Sequence, residues 1–192
     1  MGRLSGTQTE KNLLKAFAGE SQAKNRYTYF AKVAKTEGYV HISNLFLATA
    51  LQEESHAKRF FKLLDSGEAL EITAMYPAGK LGTTLENLHA AAKGEEEEYS
   101  VLYPAFAQVA EQEGFRDVAA LFKLIAQAEK EHAARYGALA RHIEAGTLFK
   151  RDEVTRWHCI KCGYIVEAYE APELCPACLH PRAYFEVAYD RY

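Results

Sequence analysis

A chain of 192 residues, 48% hydrophobic and 26% charged, is long enough for one well-buried domain and a small appendage. Its formal net charge of −3, with both signs interspersed, gives no electrostatic footprint for nucleic acid. No apolar run is long enough for a membrane span, MGRLSGTQTE lacks the charged-then-apolar build of a signal peptide, and Gly6 stands where a myristoylation signal needs Ser or Thr, so a cytoplasmic protein is expected.

From residue 8 to 146 the chain reads as helix, with apolar positions recurring at three and four. Thr7 with Glu10, and Thr83 with Glu86, fit capping boxes that open helices. Gly38, Gly67, Gly114 and Gly146 are plausible stops. Four helices are predicted near 9–37, 40–65, 84–112 and 115–145. The link DSGEALEITAMYPAGKLG is too long for a hairpin and suits a crossover along a four-helix bundle.

The two halves repeat each other. Setting residue i against i+76 pairs Tyr27 with Tyr103, Phe30 with Phe106, Glu37-Gly38 with Glu113-Gly114, Glu53 with Glu129 and His56 with His132. Helical periodicity alone would not align glycines, glutamates and histidines at one offset, so an internal duplication is inferred. Upstream, Gly19-Glu20 matches Gly94-Glu95 at an offset of 75. The third helix therefore carries one extra residue between Glu95 and Tyr103, and such an insertion is commonly absorbed as a π-bulge.

That slip lies beside KGEEEEYS, where four glutamates run in a row. At about 100° per residue they cannot all face one way. Glu95 and Glu98 share a face; Glu96 and Glu97 are read as solvated. The second helix carries Glu53-x-x-His56 and the fourth Glu129-x-x-His132, while Glu20 and Glu95 occupy matching places on the first and third. One Glu from each of two helices, with a Glu-x-x-His from each of the others, is how four-helix bundles hold a pair of iron or manganese ions. Four glutamates cancel the charge of two divalent ions; without metal, their burial would force protonation. Glu98 is a fifth carboxylate, drawn to the metals more strongly once they are oxidised, whereas neutral His56 competes better when they are reduced. Glu98 is thus a candidate redox-linked ligand. His41, His89, His142, His158 and His180 lack a carboxylate at this ligand spacing and are assigned ordinary surface or core roles.

All four cysteines, Cys159, Cys162, Cys175 and Cys178, lie in the last 34 residues. Two C-x-x-C knuckles separated by 12 residues offer four thiolates in a tetrahedron. Gly163 follows the first knuckle, where a left-handed turn is expected. The spacing suits zinc and a single iron equally.

Together GES…YTYF, QEESHAKR, GEEEEY…YPAF, AEKEHAARY and the cysteine knuckles resemble the rubrerythrin family over essentially the whole chain. The resemblance implies a ferritin-like four-helix bundle with a long crossover over 1–149 and a rubredoxin-like four-cysteine iron domain over 150–192. It tips the cysteine site toward iron. It further implies two Fe ions bridged by Glu53 and Glu129, with Glu20 and Glu95 as terminal ligands and His132 on the second ion. The first ion would exchange His56 for Glu98, and Tyr27 and Tyr103 would stand near the site and bond to ligands or bound peroxide. The implied reaction is two-electron reduction of hydrogen peroxide to water in oxidative-stress defence, in a homodimer or tetramer assembled head to tail. No G-x-G-x-x-G follows a strand, so NAD(P)H electrons would arrive through a separate reductase or rubredoxin. Leu179 departs from the Gly of free-standing rubredoxins. The rival reading is a ferritin-like iron oxidiser with a structural zinc ribbon, against which an intact electron relay speaks. Oxygen activation for substrate oxidation is a third, needing an organic-substrate pocket.

Overall fold

Residues 4–189 are described in the computed structural model. Residues 1–3 of the stretch read for a leader, and 190–192, lie outside the described residues. The helices are α1 (Gln8–Thr36), α2 (Val40–Phe61), α3 (Thr84–Glu97), α4 (Tyr103–Gln112) and α5 (Arg116–Glu144). A π-helical turn at Glu98–Leu102 joins α3 to α4 where the repeat slips register, so the expected π-bulge is present. The Tyr103 amide bonds Glu98 O, a five-residue reach that absorbs the extra residue.

Two local expectations need correction. Helix α2 ends at Phe61 rather than 65, because the Leu63 and Leu64 amides bond back three residues, to Phe60 O and Phe61 O. At the start of α1 the Thr7 hydroxyl accepts the Glu10 amide, but the Glu10 carboxylate reaches past Thr7 to the Gly6 amide. The capping box is therefore complete at Thr83–Glu86 and displaced by one residue at Thr7.

The duplication is visible as paired hydrogen bonds. Glu37, at the end of α1, accepts the Thr84 amide that opens α3 at 2.8 Å; Glu113, at the end of α4, accepts the Thr9 amide of α1 at 2.7 Å. Each carboxylate satisfies an orphan amide at a helix start and adds the favourable end of a helix dipole. The corners repeat as well: Gly38 and Gly114 sit at φ of +86° and +85°, positions a Cβ would strain.

The interior has three layers. One apolar cluster holds Leu13, Ala16, Phe60, Tyr103 and Phe122, and another Ala23, Tyr27, Phe46, Ala91 and Tyr136. On every long helix the metal-ligand candidates fall between the two: Glu20 between Ala16 and Ala23, Glu53 and His56 between Ala50 and Phe60, Glu95 between Ala91 and Tyr103, Glu129 and His132 between Ile125 and Tyr136. Each fully buried large side chain contributes about 1.5–3 kcal/mol, so the apolar layers offset the cost of the polar one between them.

The tail forms an antiparallel sheet of β1 (Lys150–Cys159), β2 (Ile165–Glu170) and β3 (Phe185–Val187), ordered β2-β1-β3, over buried Trp157 and Phe185. It docks on the α1–α2 corner. Glu186 of β3 pairs with His41 of α2 at 2.5 Å and with His158 of β1 at 3.1 Å, and Tyr39 stacks on Phe149. Among the described residues no helix is long and apolar enough to cross a membrane.

Candidate functional site

The middle layer brings Glu20, Glu53, His56 and Glu129 into one group and Glu53, Glu95, Glu129 and His132 into a second, each with ligand atoms within 4.8 Å of one another. Glu53 and Glu129 belong to both, which is the arrangement of two ions sharing two bridges. The four carboxylates are buried, at 0–1% exposure, so water does not solvate them.

Their geometry is that of lone pairs converging on something between them. His132 Nδ1 stands 2.7 Å from Glu129 Oε2 and 3.0 Å from Glu53 Oε1, yet none of these three atoms forms a hydrogen bond. His56 Nδ1 lies 2.9 Å from Glu129 Oε1 and 3.1 Å from Glu53 Oε2. Glu20 Oε2 is likewise buried without a partner. Unpaired buried carboxylate oxygens are costly in any protein, and cations satisfy all of them at once. Carboxylate oxygen with imidazole nitrogen is a donor set that suits iron. The group fits a di-iron centre.

In the absence of metal, protons take its place. Burial, then repulsion from Glu98, Glu129 and Glu53, pushes the Glu20 carboxyl well above the usual range. Burial and Glu53 do the same to Glu95. Burial opposes protonation of the histidines, but their contacts with Glu129 and Glu53 raise His56 to about 10 and His132 to about 9. Glu53, although buried, is held at about 2 by His132 and His56. Metal binding must displace these protons.

Two tyrosines brace the layer. Tyr27 donates a 2.5 Å hydrogen bond to Glu95 Oε1, and Tyr103 donates to Glu20 Oε1. Burial first, and the adjacent carboxylate second, raises both phenols well above their usual range, so both remain donors.

Glu98 stands apart. Its carboxylate belongs to neither ligand group but lines a cavity of about 200 Å³ with Gly19, Arg26 and Tyr103. Burial, then Glu129 and Glu53, raises it to about 8, opposed by the Arg26 charge. The structure thus has His56 among the ligand atoms and Glu98 at the edge of the site, in contact with Glu95. Glu96 and Glu97 are exposed, as expected.

Gln52 was not read from sequence. Its Oε1 lies 3.0 Å from His132 Nε2, a bond that holds the proton on Nε2 and leaves Nδ1 free to ligate. Its partner in the repeat is Ala128, so comparing the halves passes over it. Arg26 escaped for the same reason, matching Leu102 at the same offset; its Nε is buried without a hydrogen bond.

In the tail, Cys159 Sγ lies 3.8 Å from Cys178 Sγ, and Cys162 Sγ 3.7 Å from Cys175 Sγ. A tetrahedron with metal–sulfur bonds of about 2.3 Å has edges of about 3.8 Å, so the four sulfurs fit one ion. Burial works against ionisation of Cys175, but the Ala177 and Cys178 amides pull its thiol down to about 7. Gly163 has φ +82°, the left-handed turn expected after the first knuckle, and Leu179 takes the same conformation after the second at +59°.

The family models for rubrerythrin and for the rubrerythrin rubredoxin-like domain match residues 11–140 and 157–186. The chain belongs to the rubrerythrin family. Rubrerythrin-1 of Clostridium acetobutylicum is 60% identical over the full length of both chains, and the rubrerythrin of Nitratidesulfovibrio vulgaris 52% identical over 97% of each. A fully reduced, all-ferrous nigerythrin superposes with a TM-score of 0.64 at 33% identity, covering 97% of this chain and 92% of that one. Desulfovibrio desulfuricans bacterioferritin, at 23% identity and a TM-score of 0.64 over 73% of this chain and 82% of its own, shares the ferritin-like fold. Rubrerythrins are oxidoreductases, and the four cysteines fit a rubredoxin-like iron site.

Proposed function

We propose that this chain is a non-haem di-iron peroxidase that reduces hydrogen peroxide to water in oxidative-stress defence. The reading treats 1–149 and 150–192 as separate units, one catalytic and one an electron inlet. The observation that carries it is the placement of His56 and Glu98. A half-buried imidazole, neutral when it ligates, stands in the first ligand group while a spare carboxylate lines the wall of the adjoining cavity. An anionic and a neutral ligand competing for one position respond in opposite directions to a change of metal charge. That is what a centre cycling between diferrous and diferric states needs.

Bound ferrous ions supply the two electrons required by H2O2 + 2 e⁻ + 2 H⁺ giving 2 H2O. The residues do the rest. Glu53 and Glu129, common to both ligand groups, would be shared by the two ions, Glu20 and Glu95 would each serve one, and His132, oriented by Gln52, would complete the second. Tyr27 and Tyr103 keep protons on carboxylate-facing hydroxyls inside a water-poor layer, where they orient Glu95 and Glu20. Glu98 moves toward the site or back to the cavity and is the candidate proton carrier at its mouth.

The four cysteines would hold an iron that takes electrons from a separate NAD(P)H-linked reductase or rubredoxin in the cytoplasm. The tail docks away from its own subunit's carboxylate layer. Glu53 lies twelve positions along α2 from His41, where the tail docks, about 18 Å of helix. A homodimer in which each tail serves the partner's bundle removes that distance.

The test is anaerobic. Fully reduced, iron-loaded protein is mixed rapidly with a small excess of hydrogen peroxide, or with dioxygen, and the ferric-thiolate band of the tail is followed. Fast return with peroxide and slow return with dioxygen supports the reading; a band that never appears removes the electron inlet and with it the proposal.

A further inference from the structure

The cavity beside Glu98 is larger than hydrogen peroxide requires. Its volume is about 200 Å³, whereas a water molecule takes about 30 Å³ and an apolar cavity of about 150 Å³ admits benzene. Glu98 and Tyr103 form its inner wall, and Ala16, Leu102 and Phe106 make one side apolar. The crossover runs along the outside and contributes Tyr76 and Pro77 to the rim, fixed where the Tyr76 hydroxyl donates to Lys15 O at 2.8 Å. Gly19 contributes no side chain: a Cβ there would stand 3.7 Å from the Tyr76 ring and 3.8 Å from Glu98 Oε1, filling space that now adjoins the carboxylate.

We propose that this cavity binds small alkyl hydroperoxides, with the O–O end toward Glu98 and Tyr103 and the alkyl group against Ala16, Leu102 and Phe106. The inference rests on the peroxidase reading and extends its substrate class. The reaction is ROOH + 2 e⁻ + 2 H⁺ giving ROH + H2O. The O–O bond breaks and two O–H bonds form. The electrons come from the ferrous ions and are restored by the reductant that serves the four-cysteine iron.

The test uses iron-loaded protein and tert-butyl compounds, in two readouts. In the first, tert-butyl alcohol is titrated with the oxidised, resting protein, and the width of its methyl proton resonance is measured. A paramagnetic centre next to the cavity broadens the signal of a bound alcohol, and Ala16→Leu, which fills the apolar side, abolishes the excess width. In the second, the reduced protein is supplied with tert-butyl hydroperoxide or hydrogen peroxide and the product alcohol is quantified. Wild-type protein yields one alcohol per hydroperoxide, and Ala16→Leu lowers kcat/KM for the alkyl substrate at least about 10-fold more than for hydrogen peroxide, the discrimination an apolar pocket gives for a methylene or two. Should Ala16→Leu not fold, Phe106→Ala, which widens the same cavity, raises the rate with cumene hydroperoxide relative to tert-butyl hydroperoxide. Turnover of hydrogen peroxide without turnover of the alkyl substrate overturns this inference and leaves the peroxidase reading standing. An unchanged substrate ratio in the folded variants, or broadening that Ala16→Leu does not alter, overturns it too. Failure with both peroxides overturns the peroxidase reading itself.

Discussion

Tyr27 of α1 donates its hydroxyl proton to Glu95 of α3, while their counterparts in the repeat, Tyr103 and Glu20, make the same bond in the opposite direction across the bundle. The duplication therefore closes on itself: each half supplies the donor that orients the other half's terminal carboxylate. Both bonds lie in fully buried surroundings, where a hydrogen bond to an ionised group contributes about 1.5–3 kcal/mol.

Tyr27→Phe and Tyr103→Phe are expected to cost similar amounts, about 1–3 kcal/mol each in the iron-loaded protein, because each leaves one buried carboxylate oxygen without its donor. Denaturant unfolding of both variants beside wild type measures this. A loss in one variant with none in the other would show that the two sites are not equivalent in energy, whatever their symmetry.

The metal-free protein is expected to lose stability as pH rises. Glu98, at about 8 through burial and the charges of Glu129 and Glu53, lies above an unfolded value of about 4.3, so its folded-state cost grows from there to about pH 8. The contribution of His56 and His132 is fully present below about 6.5 and is lost as pH climbs through their folded values of about 10 and 9. Both signs agree. Glu53, held at about 2, matters in the other direction, its contribution lost as pH falls from about 4.3 toward 2. Calorimetry of the metal-free protein from pH 6 to 10 should show Tm falling by on the order of 10 °C. Iron-loaded protein, whose carboxylates and imidazoles face cations instead, should be much flatter. A flat metal-free profile would mean that the buried layer relaxes or hydrates when emptied.

Much of this site was legible because its residues repeat. Two Glu-x-x-His motifs at one offset mark the bridging pair, and the slip from 76 to 75 marks the π turn that lets Glu95 face the site while Glu98 lines the cavity. What escaped was asymmetric or long-range. Gln52 and Arg26 have Ala128 and Leu102 as their repeat partners. The crossover shows no periodicity, so nothing in its residues announced that Tyr76 bonds Lys15 O and, with Pro77, rims a cavity. Glu186 bridging His41 and His158 likewise depends on docking two units, which no local pattern encodes.

Leu179 occupies the left-handed conformation that Gly163 occupies in the first knuckle, with the same amide-to-carbonyl bond, Leu179 N to Cys175 O against Gly163 N to Cys159 O. A β-carbon there costs about 1–2 kcal/mol, and the side chain, 74% exposed, returns little packing energy. Leu179→Gly is expected to stabilise the tail by about 1 kcal/mol, part of the relief being lost to the greater freedom of glycine in the unfolded chain. The ferric-thiolate spectrum should persist, and its thermal bleaching should move to higher temperature. Bleaching at lower temperature would mean that the leucine packs on a surface, such as a partner subunit, absent from the isolated chain.

The proposed head-to-tail dimer can be tested in a way that separates delivery within a chain from delivery between chains. Cys175→Ser removes one thiolate of the tail site and leaves the bundle's ligand groups whole; Glu53→Ala removes a bridging carboxylate and leaves the tail intact. Each variant alone should lack peroxidase turnover. When equal amounts are unfolded and refolded together, random pairing makes half of the dimers mixed, and in each mixed dimer one intact tail faces one intact bundle. If electrons cross between subunits of a two-fold dimer, the mixture should recover about one quarter of wild-type activity. If each tail serves its own bundle, no arrangement of these chains places a working inlet on a working centre, and the mixture should stay inactive. The docking of the tail at His41, about 18 Å along α2 from Glu53, favours the first result, because electron exchange falls steeply with separation.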